Sequence, residues 1–326
     1  MKNSNIDLRS IGEKLQVANS VLLFPHVHPD GDSIGSCTAL CRILRTMGKE
    51  AWVLTEAELP FYIGDLDEEG FCTSDMDIIT DPDVTMAVDC CEKNRLLERT
   101  EAFERGAEKI AIDHHRIDSC EFDFYYIESE AAATAEIIYE LAKAMEWDID
   151  PKSAEALYTG IVSDTGSFKH SNTTPATHRI AADLMEAGAD VNKVTVRMFK
   201  SVDPGEIAVK VDVLGRMELF ADDMAAMSSL SQKQLAALGA EMENAETVID
   251  SLIDIRGVEV AAMLKEDKEG IRVSFRSKTF ADVAALATSL GGGGHVRASG
   301  CTLRIPLEEA YEKVKRAVEK ILEEGR

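Results

Sequence analysis

No stretch of this 326-residue chain approaches the ~18 consecutive apolar residues of a membrane span. Its N-terminus, MKNSNIDLRSIGEK, lacks the apolar core of a signal peptide. A cytoplasmic protein with no membrane partner is expected. None of its seven cysteines stands in a C-x-x-C pair, which leaves thiolate zinc sites and dithiol redox motifs without support. The count is odd and several lie among apolar residues, the pattern of buried free thiols. Positive charge is scarce: 35 Lys and Arg stand against 59 Asp and Glu, a formal net charge of −24. That balance disfavours long nucleic acid, whose non-specific binding rests on phosphate neutralisation by Lys and Arg. It leaves room for a small anion held by metal ions. Internal repeats and low-complexity segments are absent.

The apolar share of 45% is ordinary, and the length suits two domains. Strands are expected at 20–25, 51–54, 85–88 and 109–112. Helices are expected at 33–47, 131–146, 153–162 and 176–187, with Gly48 and Gly188 closing the first and last. Strands interleaved with helices predict a parallel α/β sheet. Residues 191–215, with the turn residues Asp203-Pro204-Gly205, read as a connector with some helix. From about 216 a second, smaller α/β unit is expected. It has strands at 258–264 and 271–275, a helix at 280–290, the run Gly291 to Gly294, a segment at 301–305 and a C-terminal amphipathic helix.

The chemistry concentrates where apolar segments end. Residues 20–25 run into His26, Asp30 and Asp32. Residues 85–88 run into Asp89, and 109–112 into Asp113-His114-His115. The apolar stretch Ala156–Val162 runs into Ser163-Asp164-Thr165-Gly166. In an open parallel sheet, ligands bind in the crevice beyond the carboxyl ends of the strands, so neighbouring segments would converge these groups on one spot. Crowded carboxylates repel and shift upward in pKa, and a divalent cation removes the problem. Mixed His and Asp ligation suits manganese, iron or zinc better than calcium. Six or seven such groups exceed one four-coordinate ion and suit two ions sharing a carboxylate. Each segment alone has a plainer reading as a helix cap or polar turn; four together do not. His28 lies on the same face as His26 in an extended segment, but Pro29 bends the path, so it is expected beside the ligands or facing substrate. The glycine run has a physical reading of its own. Its backbone N–H groups can approach an anion closely, and the following His295 and Arg297 suit a phosphate or nucleotide pocket.

These segments resemble the motifs of the DHH phosphoesterases, a family named for the triplet that stands here as Asp113-His114-His115. The first motif appears as His26-Val27-His28-Pro29-Asp30-Gly31-Asp32-Ser33-Ile34-Gly35-Ser36, the second as Ala87-Val88-Asp89, and the fourth as Gly160-Ile161-Val162-Ser163-Asp164-Thr165-Gly166-Ser167-Phe168. The stretch Gly291-Gly292-Gly293-Gly294-His295-Val296-Arg297-Ala298-Ser299 resembles the signature of the DHH-associated C-terminal domain. Arg116 departs from the pattern, standing where many relatives carry Pro. The bare two-domain form resembles the NrnA-type members, which cleave very short RNA and dephosphorylate adenosine 3′,5′-bisphosphate (pAp).

The resemblance implies a catalytic domain over 1–190, a linker at 191–215 and a substrate-binding domain over 216–326, with the active site in the cleft between them. Two divalent ions, manganese best, would be held by His26 and Asp30 on one side and by Asp32, His114 and Asp164 on the other, with Asp89 bridging. Asp113 would orient His114, and His115 would face the scissile phosphate. Arg276, Gly293, Gly294, His295 and Arg297 would hold substrate. The implied reaction is attack of two-metal-activated water on phosphorus in short oligoribonucleotides, linear dinucleotides such as pApA, or pAp. The alternatives are a cyclic di-AMP phosphodiesterase, an inorganic pyrophosphatase or polyphosphatase of the same superfamily, and a non-catalytic nucleotide-binding sensor. Monomer and homodimer both stay open.

Overall fold

The computed structural model describes residues 4–56, 59, 65–67, 69–115, 120–268 and 270–325. Arg116 lies outside the described residues. The chain divides into two compact units, Met1–Ser201 and Val202–Arg326.

The first unit is built on six parallel strands: β1 (Ser20–Pro25), β2 (Glu50–Leu54), β3 (Cys72–Thr73), β4 (Val84–Val88), β5 (Glu108–Asp113) and β6 (Phe124–Ile127). Their order is β3-β2-β1-β4-β5-β6. Strands β1 and β4 are apolar on both faces and buried, as the central strands of a sheet covered on both sides must be. One face carries Val21, Leu23, Met86, Val88 and Ile110; the other carries Leu22, Phe24, Ala87 and Ala111. The strand order reverses between β1 and β4, so the crevice for a ligand opens at their carboxyl ends. His26 and Asp89 stand there.

Two helices, Gly31–Thr46 and Pro151–Asp164, pack against each other at close range. Small residues make this possible. A Cβ on Gly35 would fall 2.4 Å from the Ala156 carbonyl oxygen, and one on Gly160 would fall 2.7 Å from Asp32 Oδ1. The contact brings Asp32 and Asp164 to the same end of the pair. Asp164 therefore arrives from the last residue of a helix, whereas the other acid clusters follow strands.

The second unit holds a six-stranded mixed sheet of β7 (Glu218–Phe220), β8 (Ala225–Leu230), β9 (Val260–Asp267), β10 (Gly270–Ser277), β11 (Gly293–His295) and β12 (Ala298–Leu303). The order is β11-β12-β10-β9-β8-β7, with only the β8–β9 pair parallel. Helices Val283–Ser289 and Leu307–Glu324 cover one face around Ile271, Val273 and Phe275. Helices Pro204–Gly215 and Val248–Ile253 contribute to the other around Ala261 and Met263.

The stretch 191–215 is almost wholly helical. Val191–Phe199, capped by Asp190, lies in the first unit. Pro204–Gly215, capped by Asp203 with Pro204 in its first turn, lies in the second. Only residues 200–203 lie outside both helices. The glycine run is likewise more regular than a loop, since Gly293–His295 is an edge strand paired with β12. No helix among the described residues is long and apolar enough to cross a membrane.

Candidate metal centre

Asp30 caps the helix Gly31–Thr46, its Oδ1 accepting from the backbone N–H groups of Asp32 and Ser33 at 3.0 Å each. That leaves Oδ2 facing His26 Nε2 at 3.8 Å. The His26 ring is fixed from behind: its Nδ1 lies 2.8 Å from the Val27 carbonyl oxygen. With the proton there, Nε2 keeps its lone pair toward the carboxylates, the arrangement of a metal-binding imidazole. His114 repeats the device, with Nδ1 3.3 Å from the Ala131 carbonyl. Its Nε2 lies 3.0 Å from Asp164 Oδ2, 3.6 Å from Asp89 Oδ1 and 3.9 Å from Asp32 Oδ2.

Asp89 stands between the two histidines. Its Oδ2 is 3.4 Å from His26 Nε2, while its Oδ1 faces His114 and lies 3.5 Å from His115 Nδ1. The backbone at Asp89 is left-handed, with φ of 64°, a conformation that Asp tolerates better than most residues. Three sets of donor atoms each lie within 4.8 Å of one another: His26, Asp30 and Asp89; Asp32, His114 and Asp164; and Asp89, His114 and His115.

Asp32 is fully buried. Its Oδ2 accepts from the backbone N–H of Thr134 at 2.6 Å. Its Oδ1 accepts from that of Ala135 at 2.9 Å and from Ser36 Oγ at 3.3 Å. Burial, then the charges of Asp164 and Asp89, raise its pKa; burial also raises that of Asp164. Burial works against a charged His26 ring, but the contacts with Asp30 and Asp89 outweigh it and push the ring up to about 10. The raised carboxyl values record the cost of crowding carboxylates in a water-poor site, and the raised His26 value shows the same crowd favouring a positive charge there; a divalent cation answers both.

The donor set fits such ions on a second ground. His114 Nε2 is buried among three carboxylates, with Asp164 Oδ2 nearest at 3.0 Å. An imidazole nitrogen surrounded by carboxylates in this way suits a divalent cation held between them.

The Asp113-His114-His115 triplet differs in one respect from the expectation. Asp113 was expected to orient His114. Its Oδ1 instead accepts from His115, from the backbone N–H at 2.9 Å and from ring Nδ1 at 2.7 Å; the Ala131 carbonyl orients His114. Burial works against a charged His115, but the Asp113 hydrogen bond and the charges of Asp89 and Asp113 outweigh it and raise its pKa. His28 is largely exposed, with Nδ1 3.9 Å from Glu56, and is not among the converging donors.

In the second unit, sheet register places Arg276, Ala298 and His295 in one row across β10, β12 and β11. Arg276 Nε lies 3.4 Å from Asp250 Oδ1. Two further cations share this part of the sheet. Arg272 stands four residues from Arg276 on the same face of β10, opposite Lys265 on β9. Lys265 is buried, its Nζ 2.7 Å from Glu246. Arg297 also has a structural contact. Its Nη1 donates to the Ala281 carbonyl at 2.9 Å and its Nη2 to the Thr279 carbonyl, which ties it to the 278–281 segment.

Thr134 and Asn172 touch the candidate metal centre without any motif to announce them. Thr134 Oγ1 donates to Asp89 Oδ1 at 2.8 Å. The Asn172 amide donates to the carbonyls of Ala132 and Asp164 at 3.0 and 3.1 Å. The one available signal for Thr134 was its place at the start of a helical pattern that has no conventional cap.

Family models match in the same two blocks: the DHH family N-terminal domain over residues 20–161 and the DHHA1 domain over residues 228–324. The chain is also 31% identical to the bifunctional oligoribonuclease and PAP phosphatase NrnA of Thermus thermophilus. That match covers 95% of this chain and 93% of the relative.

The chain belongs to the DHH family.

The Bacillus subtilis protein of the same description is 26% identical over 89% of this chain and 91% of that relative. Among solved structures, an exopolyphosphatase-related protein from Bacteroides fragilis superposes with a TM-score of 0.90 at 25% identity. It covers 96% of this chain and 95% of that one. As a DHH-family chain with both domains, the protein has its converging donors at the sheet position where ligands bind in folds of this kind.

Proposed function

We propose that this DHH-family phosphoesterase is a cytoplasmic enzyme that hydrolyses short oligoribonucleotides, linear dinucleotides such as pApA and the phosphomonoester of pAp. We further propose that it works with two divalent cations, of which manganese serves best. One observation carries the reading: the two oxygens of Asp89 face two different histidine sets, as a shared carboxylate requires. The two NrnA-described relatives, each aligned over most of its own length, support the substrate class.

His26 and Asp30 would hold one cation and Asp32, His114 and Asp164 the other, with Asp89 common to both. Bound there, such cations lower the pKa of water and neutralise charge on a phosphoryl group. His115 faces the same carboxylate cluster with its Nδ1 proton fixed by Asp113. Its Nε2 is then free to hold a proton toward the phosphate or the leaving oxygen, and its raised pKa favours that protonated form. His295 and Arg276 would bind the substrate's far phosphate, with Gly293 and Gly294 allowing close approach. A requirement for anchoring of this kind limits substrate length. The acidic surface adds to the limit by disfavouring long RNA.

The test is turnover by the metal-stripped protein with and without manganese on pAp, pApA, a short oligoribonucleotide, cyclic di-AMP and pyrophosphate. Hydrolysis of the first three alone is expected. Preference for pyrophosphate or cyclic di-AMP, or binding without turnover, would overturn the proposal, as would full activity without metal.

A further inference from the structure

We infer that Thr134 is the positioning residue that keeps Asp89 shared between the two cation subsites, an inference that rests on the two-cation reading above. The helix Thr134–Ala144 starts without a side-chain cap of its own, since Ala133 occupies the capping position. The first N–H groups of a helix need acceptors from elsewhere. Asp32, from a different helix, supplies them: its two oxygens take the backbone N–H groups of Thr134 and Ala135. The backbone of Thr134 is thereby fastened to a ligand of one subsite. Its side chain reaches the residue common to both, with Oγ1 donating to Asp89 Oδ1 at 2.8 Å.

The contact matters because a carboxylate turns readily about its last torsion. Asp89 must hold one plane to keep Oδ2 toward His26 and Oδ1 toward His114 at once. Thr134 occupies one lone pair of Oδ1, which fixes the plane and leaves the second lone pair for a cation. Packing makes no demand for a hydroxyl here. Thr134 is fully buried, and valine, which has nearly the same shape, would fill the space. What valine could not do is hold Asp89. Without the hydroxyl, the carboxylate follows whichever cation binds first and serves the second poorly.

The experiment is a calorimetric titration of metal-stripped full-length protein with manganese alone, on wild type, Thr134→Val and Thr134→Ser, with thermal unfolding of each. Wild type should bind two equivalents. Thr134→Val should keep the first near its wild-type affinity and weaken the second by about 10–100-fold, the usual range for loss of a group that orients a ligand. Thr134→Ser should restore the second. Should valine prevent folding, Thr134→Ala carries the same expectation without added bulk. Two equivalents at wild-type affinity in the hydroxyl-free variant would overturn the inference and leave the two-cation reading intact. So would equal weakening of both, or a serine variant no better than valine. Fewer than two equivalents in wild type would overturn the two-cation reading and this inference with it.

Discussion

His115 and Asp113 form a closed pair, with one carboxylate oxygen of Asp113 accepting both the backbone N–H and the ring Nδ1 of His115. Burial alone would raise the Asp113 pKa, but the His115 contacts outweigh it and hold it low. Asp113→Asn keeps an acceptor and removes the charge. It should lower kcat/KM for pAp about 10–100-fold with manganese affinity unchanged. A parallel loss of manganese affinity would return Asp113 to the role of orienting His114.

Asp89→Asn keeps a residue that tolerates the left-handed backbone and removes the shared charge. Turnover of every substrate should fall by a factor on the order of 10³ or more, since several kcal/mol of charge stabilisation are at stake. Circular dichroism should show an unchanged fold, and elemental analysis fewer than two manganese ions per chain. Near-normal turnover with two bound ions would remove Asp89 from the bridge.

His295→Ala tests the second unit. It should weaken cleavage of short nucleotides by roughly tenfold to a thousandfold, from a lost charge-assisted hydrogen bond and lost positioning. Bis-p-nitrophenyl phosphate should be affected much less, and bound manganese not at all. Equal losses on both esters would show that His295 acts at the metal centre.

The glycines at 292 and 293 should separate stability from binding. A Cβ on Gly292 would fall 2.1 Å from the Gly300 carbonyl oxygen, whereas one on Gly293 meets nothing within 4 Å. Gly292→Ala should lower the unfolding temperature. Gly293→Ala should leave it unchanged and raise KM for pAp. Unchanged KM would show that substrate does not approach that strand.

Glu259 gives a pH dependence. Its carboxylate accepts from the backbone N–H groups of Thr279, Phe280 and Ala281 and from the Thr279 hydroxyl, at 2.7 to 3.1 Å. Burial would raise its pKa, but these hydrogen bonds, from Ala281 and Thr279 foremost, outweigh it and lower it below the ordinary value. The folded state therefore gains stability above the ordinary carboxylate pKa and loses it as pH falls from there through the lowered value. Glu259→Gln should cost about 2–3 kcal/mol at pH 7. The gap in unfolding free energy should close as pH drops below about 4.5. A constant gap across that range would exclude the carboxylate as its source.

The residues proposed as metal ligands were legible as candidates because each follows a long apolar run within a few residues, and strand order then brings them together. Asp164 was legible by the same rule although a helix delivers it. The pairing of Asp113 with His115 was within reach as well, since residues two apart share a side of an extended segment. Thr134 was not, because its role exists only once Asp32 and Asp89 stand beside it. The contact of Arg297 with the 278–281 segment was hidden for a related reason: its partners lie 16 to 18 residues back along the chain. Strand β8, Ala-Ala-Met-Ser-Ser-Leu, has none of the β-branched or aromatic residues that mark a strand, so only its neighbours define it.

Asp32 answers to two masters. The carboxylate that faces His114 is also the only acceptor holding the first two N–H groups of the helix Thr134–Ala144 among the described residues. Chemistry and architecture are therefore inseparable at this position: a lineage that drifted away from catalysis could shed Asp164, at a helix end and partly open to solvent, without disturbing the framework, but could replace Asp32 only with another residue able to begin that helix. A descendant that has given up the reaction would be expected to betray its ancestry there.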